Sequence, residues 1–567
     1  MVKKEEKKMR ITIISIILII MSIIALPAMA QIHDARALTA DPDKAEGPIA
    51  PKLEGLGDHH FPVTTQNPDS QQFFDQGLRL TYAFNHSEAL RAFKQAVMHD
   101  PGNAMAFWGW ALVLGPNLNL PMVPEVAPQA YQAIQHAVAI KEKVSERERA
   151  YIEALAERYT NNPTTDRVSL DRAYARAMAK LVESYPDDLD AATLYAASLM
   201  NLQPWDYWSL DGSPKGNTGE ILKTLQSVVD RNPQHAGALH YYIHTVEARH
   251  PKRGEQHADM LAGLMPGAGH LVHMPSHIYM RVGRFADSYE ANRRAVEADE
   301  SYITQCRAQG IYPLNYYPHN VHFMTWSAMV QGRPKVALET AYKIVDKVPP
   351  ELAANKNVWA LYETFLSQPV FVMVRFGMWD AMLKETKPNI ESKFMTGIWH
   401  YGRALAFVHT DRLAEARREL RPLTAARKAM GELEHYIGFG AAETLLTIAE
   451  EIVLGELAYA EGYTLEGLAH LERAVRLEDG LRYNEPPDWY FPVRHFLGAM
   501  LIDSGRPNEA EVVYAADLRK NPGNGYSLFG LRLALEQQGK NEDARAVTKR
   551  FERAWTAATH KLTSSRF

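Results

Sequence analysis

Ten of the 22 histidines fall between His235 and His322, and their spacing is what a metal site built on helices needs. His240 and His244 stand one turn apart in HYYIHTVE, with Glu247 three residues on, so all three share one helical face. His273 and His277 repeat the i, i+4 pair in HLVHMPSHIY, and His319 and His322 form an i, i+3 pair in PHNVHF. Two imidazoles on adjacent turns can hold one ion, and imidazole-rich donor sets suit copper, zinc or iron. The expected ligands are therefore His240, His244, His273, His277, His319 and His322. They would surround a divalent transition metal (Cu, Zn or Fe) in a mono- or dinuclear site. Glu247 is expected as a further ligand, as a carboxylate that orients an imidazole, or as a base acting on metal-bound water. The rival without metal is a buried hydrogen-bond network of these histidines with Tyr241, Tyr242, Tyr279, Tyr316 and Tyr317. His250, His257 and the His59–His60 pair read as solvated, and His235 as the start of a helix.

Helices must position these rings. Pro275 and Pro318 each suit the first turn of a helix, where a missing N–H is not needed. That puts His277 and His319 near helix N-termini, where the dipole disfavours imidazolium and keeps the metal-binding neutral form. A repeat recurs along the chain. Gly77, Ala89, Phe93, Ala96 and Pro101 carry the small, small, aromatic, small and proline positions of a tetratricopeptide repeat. Gly455, Gly467, Leu471 and Ala474 repeat the spacing. So do Gly498, Ala510, Tyr514 and Pro522, with Asp517 in place of the second alanine. Weaker copies at Ser276–Ala295 and Thr325–Pro349 place histidine segments on first helices of repeats. The fold expected is all-α, a TPR-like α-α superhelix, or solenoid, of helix-turn-helix repeats. One N-terminal solenoid with the histidine-rich site spans 71–355 and a C-terminal one spans 356–567. No alternating strand pattern stands out. The loop Gln203–Gly219, with three large aromatics, either closes a pocket or plugs a gap between helices.

Residues 31–70 are polar with Pro and Gly and read as a mostly irregular lead-in. Before them, Lys3, Lys4, Lys7, Lys8 and Arg10 precede an apolar run from Ile11 to Leu26 and the small-x-small Ala28-Met29-Ala30. That is the pattern of a bacterial Sec-type signal peptide cleaved after Ala30, and it implies a periplasmic or secreted protein. The alternative, an uncleaved anchor, is short for a span of about 20 residues. Removing the segment takes the formal net charge from −5 to about −8, since five basic and two acidic residues leave with it. Such a chain has no electrostatic footprint for nucleic acid. After signal cleavage no membrane span is expected. Cys306 is the only cysteine, which excludes an intrachain disulfide and thiolate-rich metal sites; it reads as a buried small apolar residue.

The segments FFDQGLRLTYAFNHSEALRAF, WGWALVLGPNLN, HAGALHYYIHTVEA, GHLVHMPSHIYMRVGR, YYPHNVHF and EPPDWYFPVRHFLGAML resemble a family of exported bacterial tetratricopeptide-repeat proteins, largely of unassigned function. The resemblance covers nearly the whole chain after residue 30. It implies the solenoid and export, and it brings no catalytic residue. Three functions remain open at this stage. One is a metal-binding repeat protein that acts as an oxidoreductase. Another is a zinc-dependent hydrolase with Glu247 as base. The third is a scaffold whose concave groove takes a protein or peptide partner, with Asn85, Trp108, Asn117 and Asn119 as groove residues.

Overall fold

The computed structural model describes residues 34–162, 164–308, 312–348, 359–389, 391–431 and 435–567. The expected signal segment and its cleavage site lie outside the described residues, as does the 355/356 boundary. Among the described residues the chain is all-α apart from one two-stranded antiparallel hairpin, Tyr436–Ile437 with Gly440–Ala441. That hairpin is a small departure from the expectation of no strands. No helix among the described residues is long and apolar enough to cross a membrane.

Helices pair antiparallel with their sequence neighbours, in the manner of tetratricopeptide repeats, and the reason lies at the small residues. In the pair Pro68–Tyr82 and His86–His99, Gly77 faces Phe93. A Cβ on Gly77 would fall well inside contact distance of that ring, and so would one on Gly109 of the next helix, Ala104–Leu114. One aromatic thus fills the space that two glycines leave open. Gly498, Tyr514 and Gly530 repeat this arrangement between Arg494–Asp503, Pro507–Lys520 and Gly525–Gln537. At Gly455 and Gly467 the backbones themselves touch, each glycine's Cβ position lying against the other's carbonyl. Asp517, where the repeat has alanine, is buried and accepts the Ser527 hydroxyl at 2.6 Å and the Asn521 amide at 2.8 Å.

The chain forms two compact units. The first comprises residues up to Thr245 with Gly263–Leu271 and Ala298–Tyr316. The second comprises Val246–Ala262, Val272–Glu297 and Tyr317–Phe567. The chain therefore passes between units several times.

The described part of the lead-in carries one short helix, Ala35–Thr39. It is clamped rather than loose. Gln76 takes the Leu53 N–H and gives its amide to the Pro51 carbonyl, both at 2.9 Å. Asp75 accepts the Phe61 N–H at 3.0 Å, Gln71 the Val63 N–H at 2.9 Å, and Glu148 the Thr64 N–H at 2.6 Å. Lys94 gives its ammonium to the carbonyls of Ala37, Leu38 and Ala40, the orphan acceptors at the end of that short helix.

Candidate metal centres

The first unit brings together His240, His244 and His270, each buried, with one ring nitrogen from each within 4.8 Å of the others. His240 and His244 lie on helix Ala236–Val246, whose start is capped by His235 accepting the Ala238 N–H at 3.2 Å. The His240 ring is 4.8 Å from His244 and 5.0 Å from His270 between centroids. Its Nδ1 stands 2.7 Å from the Tyr82 carbonyl oxygen. A carbonyl only accepts, so Nδ1 carries the proton and Nε2 the lone pair. Phe84, held at φ +55°, lays its ring 4.4 to 5.9 Å from all three imidazoles. Trp205 meets His244 edge-on at 5.2 Å, so the aromatic loop packs against the site. Tyr316 lies 4.8 Å from His270.

The second unit brings together His273, His277 and His319 under the same distance limit, with His319 the partly exposed member. Here the tautomers of two rings are fixed. Asn292 gives its amide to the Ser288 carbonyl at 2.7 Å, which turns its Oδ1 toward His273 Nδ1 at 2.6 Å. His273 Nδ1 must therefore donate. His277 Nδ1 faces the Glu485 carboxylate at 2.8 Å and Glu247 at 3.5 Å, and it must donate too. Both Nε2 atoms then point at each other, 2.9 Å apart. Two lone pairs at that separation repel unless a cation lies between them, either a metal ion or a shared proton. With metal–nitrogen bonds of about 2.0–2.1 Å, a tetrahedral ion places its nitrogens about 3.4 Å apart. A shift of about half an ångström would open the pair to receive one. The Phe323 ring stands 4.7 to 4.9 Å from all three imidazoles and walls the cluster with apolar surface.

The carboxylates set the electrostatics on the Nδ1 side of His277. Burial opposes charge on His277, but Glu247 and Glu485 outweigh it and raise its pKa. Burial also drives the Glu247 carboxyl well above the usual range, helped by Glu485 and opposed by His277 and Arg281. Arg281 lies 3.6 Å from Glu485 and adds positive charge beside the pair.

The structure redistributes the expected ligands. Five of the six fall into two sets, His240 and His244 in one unit and His273, His277 and His319 in the other, and His270 joins the first although it belongs to no spaced pair. Glu247 falls beyond the end of helix Ala236–Val246 and pairs with His277 in the second unit. His322 turns away from His319: its Nε2 shares a hydrogen bond of 2.8 Å with the Tyr490 hydroxyl, and burial lowers its pKa to about 3. His257 is buried, not solvated. His59 is also largely enclosed. Its Nε2 lies 2.9 Å from Asp190, which also accepts the Tyr82 hydroxyl and sits 3.4 Å from His235 Nε2. Burial opposes ionisation of Asp190, yet His235 and His59 hold its carboxyl far below the ordinary range. Trp108 is core, giving its N–H to the Tyr151 carbonyl. Asn117 closes a turn with Leu120, and Asn119 points its amide at the Tyr316 hydroxyl 3.5 Å away. Cys306 is buried, as expected, and burial raises its thiol to about 12. Sequence spacing gave no signal for Asn292 or Glu485; Glu485 lies 208 residues from the ring it holds.

No protein-family model matches the chain. No curated protein matches it. Among solved structures it is similar to a human IFIT1 dimer with m7Gppp-AAAA, at 13% identity, 87% of this chain, 91% of that chain and a TM-score of 0.30. It is similar to the TPR domain of P58(IPK), at 11% identity, 84% and 99% coverage and a TM-score of 0.22. It is also similar to the APC/C hetero-tetramer Cut9-Hcn1, at 12% identity, 86% and 94% coverage and a TM-score of 0.26. Superpositions this loose carry no argument about ligands. The tetratricopeptide-like character rests on the helix pairing and on its glycine–aromatic contacts.

Proposed function

We propose that this chain is a transition-metal-binding repeat protein. His273, His277 and His319 would hold one ion, and His240, His244 and His270 offer a second imidazole set. The observation that carries the reading is the pair of facing Nε2 atoms on His273 and His277. Asn292 and Glu485 orient these rings as outer partners orient metal-bound histidines, and loss of such a partner commonly costs 10–100-fold in affinity. Imidazole sets of this kind take copper, zinc or iron. Redox chemistry with copper or iron is favoured over zinc hydrolysis because Glu247 sits on the Nδ1 side of His277. A base there is on the far side of the ring from a water held at Nε2.

One observation favours a second reading, without metal. The raised pKa of His277 suits an imidazolium that gives its Nε2 proton to His273. Metal-stripped protein titrated with Zn(II), Co(II), Cu(II) and Fe(II) decides between them. The metal reading expects stoichiometric uptake, with one ion lost in the His273→Ala/His277→Ala double variant and retained in His240→Ala/His244→Ala. No uptake by the intact chain leaves the proton-sharing network. We also propose export through residues 1–30. The exported protein would then begin at Gln31, and a mass that keeps the first thirty residues would sink this.

A further inference from the structure

Beside the first histidine set, and wholly within the first unit, lies a cavity of about 530 Å³ that the metal reading does not use. That volume lies within the range of small-molecule sites, roughly 300–1,000 Å³. Its buried lining is apolar at Leu56, Leu80, Ala83 and Ala268, with Tyr302 and Tyr312 in an edge-on pair at 5.0 Å. Its mouth is polar, with Ser301 and Gln305.

Two features make it a built site. The lead-in forms one wall and is fixed there. Gly267 gives its N–H to the Gly55 carbonyl at 2.8 Å, and Gly55 and Gly57 hold positive φ where a side chain would strike Gly267 and Leu264. The second is Asn85. Its Oδ1 is taken by the Glu88 N–H at 3.4 Å and the Tyr302 hydroxyl at 3.3 Å. Its Nδ2 makes no hydrogen bond among the described residues, although Asn85 is only 5% exposed and lines the cavity. A nearly buried amide donor at an apolar, aromatic-edged wall calls for a ring that carries an oxygen acceptor. A carboxylate is poorly served, since Lys52 is already held by Asp69 at 2.7 Å.

We propose that this cavity binds an uncharged hydroxylated aromatic of one or two rings, its oxygen on Asn85 Nδ2. Ala83 and Asn85 flank Phe84, and the Tyr312 hydroxyl accepts the His270 N–H at 3.3 Å, so the ligand would lie beside the first histidine set. The proposal does not depend on a metal being there.

The test uses the metal-free full chain and the fluorescence of 2-naphthol. One equivalent should bind, at least about tenfold more tightly than naphthalene or 2-naphthoate, as expected where a site is built to pair an oxygen. Asn85→Ser keeps a side-chain acceptor that can cap helix His86–His99 and withdraws the amide donor from the cavity. It should weaken 2-naphthol about tenfold and leave naphthalene unchanged. Ala298→Trp fills the cavity and should abolish both. Naphthalene binding as tightly as 2-naphthol, 2-naphthoate binding better than either, no binding at all, or binding unchanged in both variants would each overturn the proposal. Metal uptake measured on the same preparations reports separately on the histidine sets.

Discussion

Asp488 sits beneath the turn at Gly438–Phe439, accepting the Phe439 N–H at 3.2 Å and the Asn484 amide at 2.6 Å. Burial raises its pKa to about 6, against the opposing pull of Asn484 and of the Phe439 and Gly440 N–H groups. An unfolded aspartate titrates near about 3.9. The folded chain therefore holds a proton that the unfolded chain gives up as pH rises through the interval between them. The stability tied to Asp488 is fully present below about pH 4 and is lost as pH rises through about 6, a change on the order of 3 kcal/mol. Urea unfolding of the second unit, followed from pH 4 to 7, should show this decline. Asp488→Asn should flatten it, and an unchanged slope in that variant would place the titration elsewhere. Asp517 shows the reverse arrangement. Burial opposes its ionisation, but His495, Ser527 and Asn521 together hold its carboxyl below the usual range. Asp517→Ala strands the Ser527 hydroxyl and should cost about 2–3 kcal/mol. Asp517→Asn, which keeps an acceptor, should cost less.

Among the elements, the helix pairs make the sharpest demand on side-chain size. Gly77 and Gly109 share the Phe93 ring, and Gly498 and Gly530 share the Tyr514 ring. Gly77→Ala or Gly498→Ala would raise helix propensity by up to about 1 kcal/mol. Each would also drive a methyl into an aromatic ring within a close-packed interior, a strain of about 1–3 kcal/mol. Packing wins, so both should lower the thermal midpoint. Gly219, in helix Thr218–Arg231 with no atom near its Cβ position, serves as a control for general loss of a helical glycine. A stabilised Gly77→Ala would mean that Phe93 can rotate away. This part of the fold was legible because each contact joins residues a fixed number of positions apart in one repeating unit. The histidine sets were legible only in part. Spacing finds His240 with His244 and His273 with His277, because each pair closes over a single turn. It cannot find His270, Asn292 or Glu485, whose places are set by packing between distant segments. The i, i+3 spacing of His319 and His322 misleads for a related reason: Tyr490, 168 residues away, offers His322 a hydroxyl.

At the scale of the whole molecule, a bound ion would act on folding as well as on chemistry. A ligand held only by the folded chain adds RT ln(1 + [L]/Kd), about 2.7 kcal/mol at a free concentration one hundred times Kd. A chain of 567 residues in two compact units need not unfold in one step, so a single midpoint would blur the effect. Amide exchange, read segment by segment, resolves it. With saturating Zn(II), protection should rise in Pro275–Val282 and Tyr317–Val330, which carry His277 and His319. It should also rise around Glu485, through its bond to His277. In the His273→Ala/His277→Ala variant that gain should vanish, while any gain in Ala236–Val246 persists as the signature of the other set. Glu485→Gln keeps an acceptor for His277 Nδ1 but removes the charge, so it should weaken uptake about 10–100-fold without unfolding the segment. Equal protection with and without metal in every one of these segments would mean that the facing nitrogens share a proton and that the histidines serve the fold alone.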